Sequence, residues 1–93
     1  MKNSKDYSIY ILECNDKSFY TGMTTDLFHR FDQHKNGEGS QYTKSRFPVK
    51  IVFAYKGIKE YNIARAGEKY IKSLTRKRKI KLIEKDPKAI RLF

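Results

Sequence analysis

Hydrophobic and polar positions alternate or cluster along this chain with clear punctuation. Tyr7-Ser-Ile-Tyr-Ile-Leu-Glu-Cys14 is rich in aromatic and β-branched residues and predicts a buried strand. The turn-forming cluster Asn15-Asp16-Lys17-Ser18 follows, and Phe19 to Thr24 predicts a second strand, so residues 7–24 read as a hairpin. Thr25 or Asp26 can cap a helix that runs to about Lys35, with Leu27, Phe28 and Phe31 inward and Asn36-Gly37 as its stop. The segment 37–47, with its glycines, hydroxyls and cations, reads as an exposed loop. Pro48 opens a third strand, Val49 to Tyr55, which Gly57 breaks.

A second helix is predicted from about Glu60 to Leu74, with Ile63, Gly67, Tyr70 and Leu74 as its core stripe and the small Ala66 and Gly67 permitting close packing. Thr75 then caps a third helix, Arg76 to about Lys85, with Ile80 and Ile83 inward, and Asp86-Pro87 ends it ahead of a short tail. The order is β-β-α-β-α-α. It predicts an α+β fold: a small three-stranded antiparallel sheet flanked by helices, in one domain over residues 1–93.

Composition narrows the function classes. The chain carries 21 Lys and Arg against 10 Asp and Glu, a formal net charge of +11. So strong a positive field on so small a body favours polyanions, nucleic acid first among them, because counterion release rewards contacts from Lys and Arg to phosphate. The same charge also suits an RNA-associated structural protein. No window is apolar enough for a membrane span, and the first residues lack the apolar core of a secretory signal. With Cys14 the only cysteine, an internal disulfide is impossible, and the expected place is a reducing, cytoplasmic compartment. Cys14 itself reads as a small core residue.

Candidate chemistry is sparse. No histidine pair or cysteine cluster has metal-ligand spacing, and neither a phosphate-cradling glycine loop nor a nucleophile elbow is present. Arg30 and His34 lie four apart on the first helix and share a face, where they could hold a phosphate oxygen and a water or leaving group together; the spacing alone favours an ordinary solvated helix edge. His29 points elsewhere. Glu68, projecting off the expected core stripe, could pair with Arg65 or Lys72, or could bind a hard divalent cation such as Mg2+ through one carboxylate, waters and substrate phosphates. Tyr42, Lys44 and Arg46 in the loop can clamp a sugar-phosphate backbone, with Tyr42 stacking on a base, while Lys69, Lys72, Arg76 and Lys77 form a basic stretch that suits phosphates.

One ordered set stands out: Ser8-Ile9-Tyr10, then Tyr20-Thr21-Gly22, then Arg30 and His34, then Glu68. Over roughly residues 7–83 it resembles the GIY-YIG nuclease superfamily, and in particular its small single-domain UPF0213-type bacterial proteins. The resemblance implies metal-dependent hydrolysis of phosphodiester bonds, in DNA ahead of RNA, with the DNA structured or single-stranded and the setting repair or processing. It implies Tyr20 as general base or water-positioning group, with Tyr10 lining the same site. Gly22 would allow close backbone approach, Arg30 would bind the scissile phosphate, and His34 would assist, relaying the proton from Tyr20. Glu68 would ligate a single Mg2+ or Mn2+. Two departures accompany it: Ser8 replaces the first glycine of the motif, and no asparagine follows Asn62, where many such nucleases carry one after the glutamate. A non-cleaving nucleic-acid-binding module on the same fold is the alternative. In either case the short chain is expected to read backbone geometry, with a protein partner as one source of specificity.

Overall fold

The computed structural model describes residues 5–85. Strands β1 (Tyr7–Glu13), β2 (Phe19–Thr24) and β3 (Lys50–Ile58) form one antiparallel sheet in the order β2-β1-β3, with β1 central. Helices α1 (Leu27–Lys35), α3 (Tyr61–Ser73) and α4 (Arg76–Lys85) match the expected α+β arrangement. A further helix, α2 (Gln41–Lys44), occupies the segment expected as an exposed loop. The correction has a tertiary cause: Ser40 caps this single turn by accepting from the Thr43 N–H at 3.1 Å, and Thr43 is wholly buried.

Alternation along β1 divides the core. Tyr10 and Leu12 face one side and pack with Cys14, Leu27, Val49, Ile51 and Ala54. Ile9 and Ile11 face the other and pack with Phe53, Ile71 and the half-buried Leu82 and Ile83. α1 therefore covers the Tyr10 face, while α3 and α4 cover the Ile9 face.

Local chemistry sets the element ends. Asp26 caps α1 by accepting from the His29 N–H at 3.2 Å, and Gly37, at φ 76°, supplies the left-handed residue that stops the chain after it. Thr75 caps α4 by accepting from the Arg78 N–H at 3.3 Å. The expected end of α4 at Asp86-Pro87, and the tail beyond, lie outside the described residues. Gly57 does not break β3. It sits inside the strand at φ 83°, where the register with β1 shifts between Ile9↔Tyr55 and Tyr7↔Ile58, so glycine here makes a bulge that the strand survives.

The core stripe of α3 is corrected in part, since Gly67 and Leu74 are half-buried as expected. Ala64 and Ile71 are buried, whereas Ile63 and Tyr70 are 59% and 63% exposed. Small residues decide which face goes inward. A Cβ at Gly67 would lie 2.7 Å from Ile9 Cδ1, so the bare backbone presses on the sheet there, with Ala64 one turn away. Ala66, expected to serve the same close approach, is exposed. Phe28 likewise is 58% exposed rather than inward.

Candidate active site at the edge of the sheet

Tyr10 is the centre of the site. It lies on the central strand, directly opposite Gly22 of β2, and is 1% exposed. Its ring crosses over Gly22: a Cβ there would come 2.5 Å from Tyr10 Cζ and would collide with the hydroxyl. The missing side chain thus lets Tyr10 carry its hydroxyl across the outer strand to the sheet edge. The ring cannot retreat easily, because its hydroxyl is bonded on the far side. Gly22→Ala is accordingly expected to lower stability by about 1–3 kcal/mol, the usual range for overpacking, read as a reduced urea midpoint at unchanged slope.

That bond is to His34. The Tyr10 hydroxyl and His34 Nε2 are 2.9 Å apart, and His34 Nδ1 lies 2.8 Å from Thr43 Oγ1. His34 is wholly buried, because one turn of α1 aims it into the space beneath α2. Tyr20 joins from β2, its ring centroid 6.4 Å from that of Tyr10 and 5.2 Å from that of His34. Arg30, one turn before His34 on α1, donates to Gln33 Oε1 at 2.9 Å, and its charge acts on both the Tyr10 and Tyr20 hydroxyls. Four of the five side chains expected to act together are therefore gathered at one place. The imidazole makes its hydrogen bonds to Tyr10 and Thr43 and meets Tyr20 through ring contact.

Glu68 arrives by another route. α3 packs over β2, β1 and β3 from the Ile9 side, and Glu68 lies on its half-buried face beside Gly67. This corrects the expectation that the residue projects away from the core: its side chain is only 14% exposed. Its carboxylate pairs with Lys72 at 3.4 Å. Among the described residues, no hydrogen bond or ion pair joins it to the tyrosines, Arg30 or His34. Its charge nevertheless acts weakly on the Tyr10 hydroxyl.

The electrostatics hold the inner pair neutral. Burial pushes the Tyr10 hydroxyl up to about 12; Tyr20 and Glu68 add to this, and Arg30 opposes it. Burial likewise pulls His34 down to about 4, with the Arg30 charge adding. Burial works against the Arg30 charge too, but the two tyrosine hydroxyls outweigh it and the guanidinium stays firmly protonated. A neutral, buried Tyr–His pair thus sits behind an obligate cation.

A family model for the GIY-YIG catalytic domain matches residues 6–81. The chain belongs to the GIY-YIG family. It is 45% identical over 75 residues to a UPF0213 protein of Clostridium perfringens, covering 81% of this chain and 80% of that one. It is 40% identical over 81 residues to UPF0213 protein YazA of Bacillus subtilis, covering 87% and 81%. The solution NMR structure of a UPF0213 protein from Bacillus halodurans superposes with a TM-score of 0.58 at 35% identity, covering 88% of this chain and 86% of that chain. That of a protein from E. faecalis gives 0.61 at 36%, covering 91% and 90%. GIY-YIG domains form a nuclease superfamily whose members act on nucleic acid and generally use divalent metal ions. Among the described residues no helix is long and apolar enough to cross a membrane.

The candidate nucleic-acid contacts divide into two groups. Tyr42 lies 6.1 Å from Tyr20, centroid to centroid, extending the aromatic surface of the site outward. Arg46 stacks over Tyr42 at 4.0 Å, bonds the Tyr42 carbonyl at 2.9 Å and pairs with Asp16 at 3.1 Å, so it braces the loop. Arg76 is similarly engaged, over the Phe19 ring at 4.5 Å and on the Lys17 carbonyl at 2.6 Å. Lys44, Lys69, Lys72 and Lys77 are exposed, and Lys72 shares the Glu68 carboxylate. Sequence reasoning missed the residues that hold His34, namely Gly39, Ser40 and Thr43. Their signal was the Ser-x-x-Thr spacing of a cap inside an otherwise polar loop.

Proposed function

We propose that this chain is a metal-dependent phosphodiester hydrolase, acting on DNA ahead of RNA, with its site at the β2 edge. The observation that carries the reading is the gathering of Arg30, Tyr10 and Tyr20 around one point where the Glu68 charge is also felt. Arg30 donates to a non-bridging oxygen of the scissile phosphate and stabilises the charge that builds there. Tyr20, half-buried beside it, orients the attacking water through its oxygen and, as the phenolate, takes the proton that the water loses. Tyr10, kept protonated, lends its oxygen as an acceptor in the same cluster. Lys69 and Lys77 hold neighbouring phosphates.

The donor set fits one hard divalent ion. Among the described residues there is no group of three or more His, Cys, Asp or Glu side chains that could enclose a metal. Mg2+ does not require one, since it commonly uses one or two carboxylates with waters and substrate phosphates. Glu68 would be the protein ligand. Its partner Lys72 is half exposed, and such a pair contributes about 0–1 kcal/mol, so the carboxylate is readily released. A bound Mg2+ or Mn2+ would neutralise phosphate charge and support the departing oxygen.

The test is to incubate the purified protein with single-stranded, nicked, branched and duplex DNA and with RNA, with and without Mg2+ or Mn2+. The expected result is cleavage that requires the ion and stops on chelation. Salt-dependent binding with no turnover on any of these substrates would overturn the hydrolase in favour of a non-cleaving binding module.

A further inference from the structure

We infer that Thr43 is a positioning residue that fixes the tautomer of His34, with Nδ1 protonated and Nε2 bare, and thereby turns the Tyr10 oxygen outward as an acceptor. This deepens the proposed function, on which its catalytic consequence rests. The geometry supplies the directions of the hydrogen bonds. Thr43 Oγ1 lies 3.3 Å from the Ser40 carbonyl, which can only accept. With its proton placed there, Thr43 accepts from His34 Nδ1–H at 2.8 Å. His34 Nε2 is then an acceptor, and it faces the Tyr10 hydroxyl at 2.9 Å. The opposite end of the chain agrees. The Arg30 guanidinium, bonded to Gln33 Oε1 at 2.9 Å, acts on the Tyr10 hydroxyl from the other side, and a cation there favours a Tyr10 that turns its oxygen towards Arg30 and its proton away. His34 Nε2 is the hydrogen-bond partner present.

The surroundings leave the imidazole little freedom to rearrange. A Cβ at Gly39 would lie 2.7 Å from His34 Cε1 and would collide with Nδ1, so the loop backbone seals the ring from that side. Ser40 Oγ accepts from the Thr43 N–H at 3.1 Å and lies 3.2 Å from its hydroxyl, so the cap of α2 and the orientation of Thr43 are one device. In this arrangement Tyr10 presents lone pairs alone to the site. With the other tautomer, His34 would donate to Tyr10, and the tyrosine proton would point at Arg30.

The tautomer can be read directly by long-range 1H–15N correlation spectra of 15N-labelled protein at pH 7, in which protonated and bare ring nitrogens are well separated. The expected result is a protonated Nδ1 in the unaltered chain, in Thr43→Ser and in Tyr10→Phe, and a shift to protonated Nε2 in Thr43→Val. A protonated Nε2 in the unaltered chain, or an unchanged pattern in Thr43→Val, would overturn the inference. Should Thr43→Val fail to fold, the unaltered chain and Thr43→Ser still decide the tautomer, and Tyr10→Phe decides whether Tyr10 sets it instead. These spectra do not depend on turnover, so a protein that cuts nothing but shows the expected pattern defeats only the hydrolase reading. Where cleavage is measured, Thr43→Val is expected to slow it at least about tenfold with KM little changed, and Thr43→Ser to restore it, as for outer-shell partners generally.

Discussion

Arg30→Ala is expected to slow phosphodiester cleavage by about 10²–10³-fold at saturating substrate while leaving nucleic-acid binding largely intact. The magnitude is that of removing one preorganised donor from a developing oxyanion. The separation between rate and binding follows from the charge distribution. With a net charge of +11 the chain holds polyanions through many Lys and Arg side chains, and removing one of them weakens that sum only slightly. Arg30 differs from the rest in being half-buried, with its guanidinium held by Gln33 Oε1 at 2.9 Å beside the two tyrosine hydroxyls. Arg30→Lys is therefore expected to recover only a small part of the rate, because an ammonium lacks the planar fork. Glu68→Ala should bring cleavage to background in Mg2+ and Mn2+ alike, since Glu68 is the protein ligand proposed for the ion and no group of three or more His, Cys, Asp or Glu side chains among the described residues could replace it. Single-turnover rates on one labelled substrate check both variants. Cleavage that persists at the unaltered rate in both would mark the activity as a contaminant's.

How much of this was legible in the sequence depended on how local the cause was. The ends of β2 and α1 followed from turn chemistry and an Asp cap within a few residues, and the structure places them where those signals lie. The face of α3 did not follow, because period alone favoured the large Ile63 and Tyr70. What decides it is the contact of Gly67 with Ile9, a residue from a distant strand. α2 was hidden for the same reason: a four-residue helix has negligible stability of its own, and here it exists around the buried Thr43–His34 hydrogen bond. The site followed a similar rule. Tyr10, Tyr20, Arg30, His34 and Glu68 could be singled out by their resemblance to an ordered family motif, yet nothing local distinguished the buried His34 edge of α1 from a solvated one. Long-range burial made His34 a fully enclosed side chain and left His29, on the same helix, exposed.

That enclosure leads to a pH dependence with two limbs. The unfolded chain takes a proton on His34 near the ordinary value of about 6.5, whereas burial, with Arg30 adding, holds the folded imidazole down to about 4. Between those values the unfolded state binds more protons, so stability falls as pH drops through this window and is flat above it. At 1.36 kcal/mol per pH unit the full loss is about 3 kcal/mol, of which about 2 kcal/mol is expected by pH 5. Carboxylates contribute little in the upper part of the window, so a decline between pH 6.5 and 5 is diagnostic. Tyr10 gives the alkaline limb. Its hydroxyl is pushed up to about 12, so above about 10 the unfolded chain ionises first and stability falls as pH rises. Urea midpoints from pH 5 to 11 should therefore show a plateau between about 6.5 and 10 with losses on both sides. His34→Gln should flatten the upper acid limb while leaving the alkaline one in place. A flat profile from pH 7 down to 5 in the unaltered chain would mean that His34 accepts a proton in the folded state, and that the neutral Tyr10–His34 pair does not form.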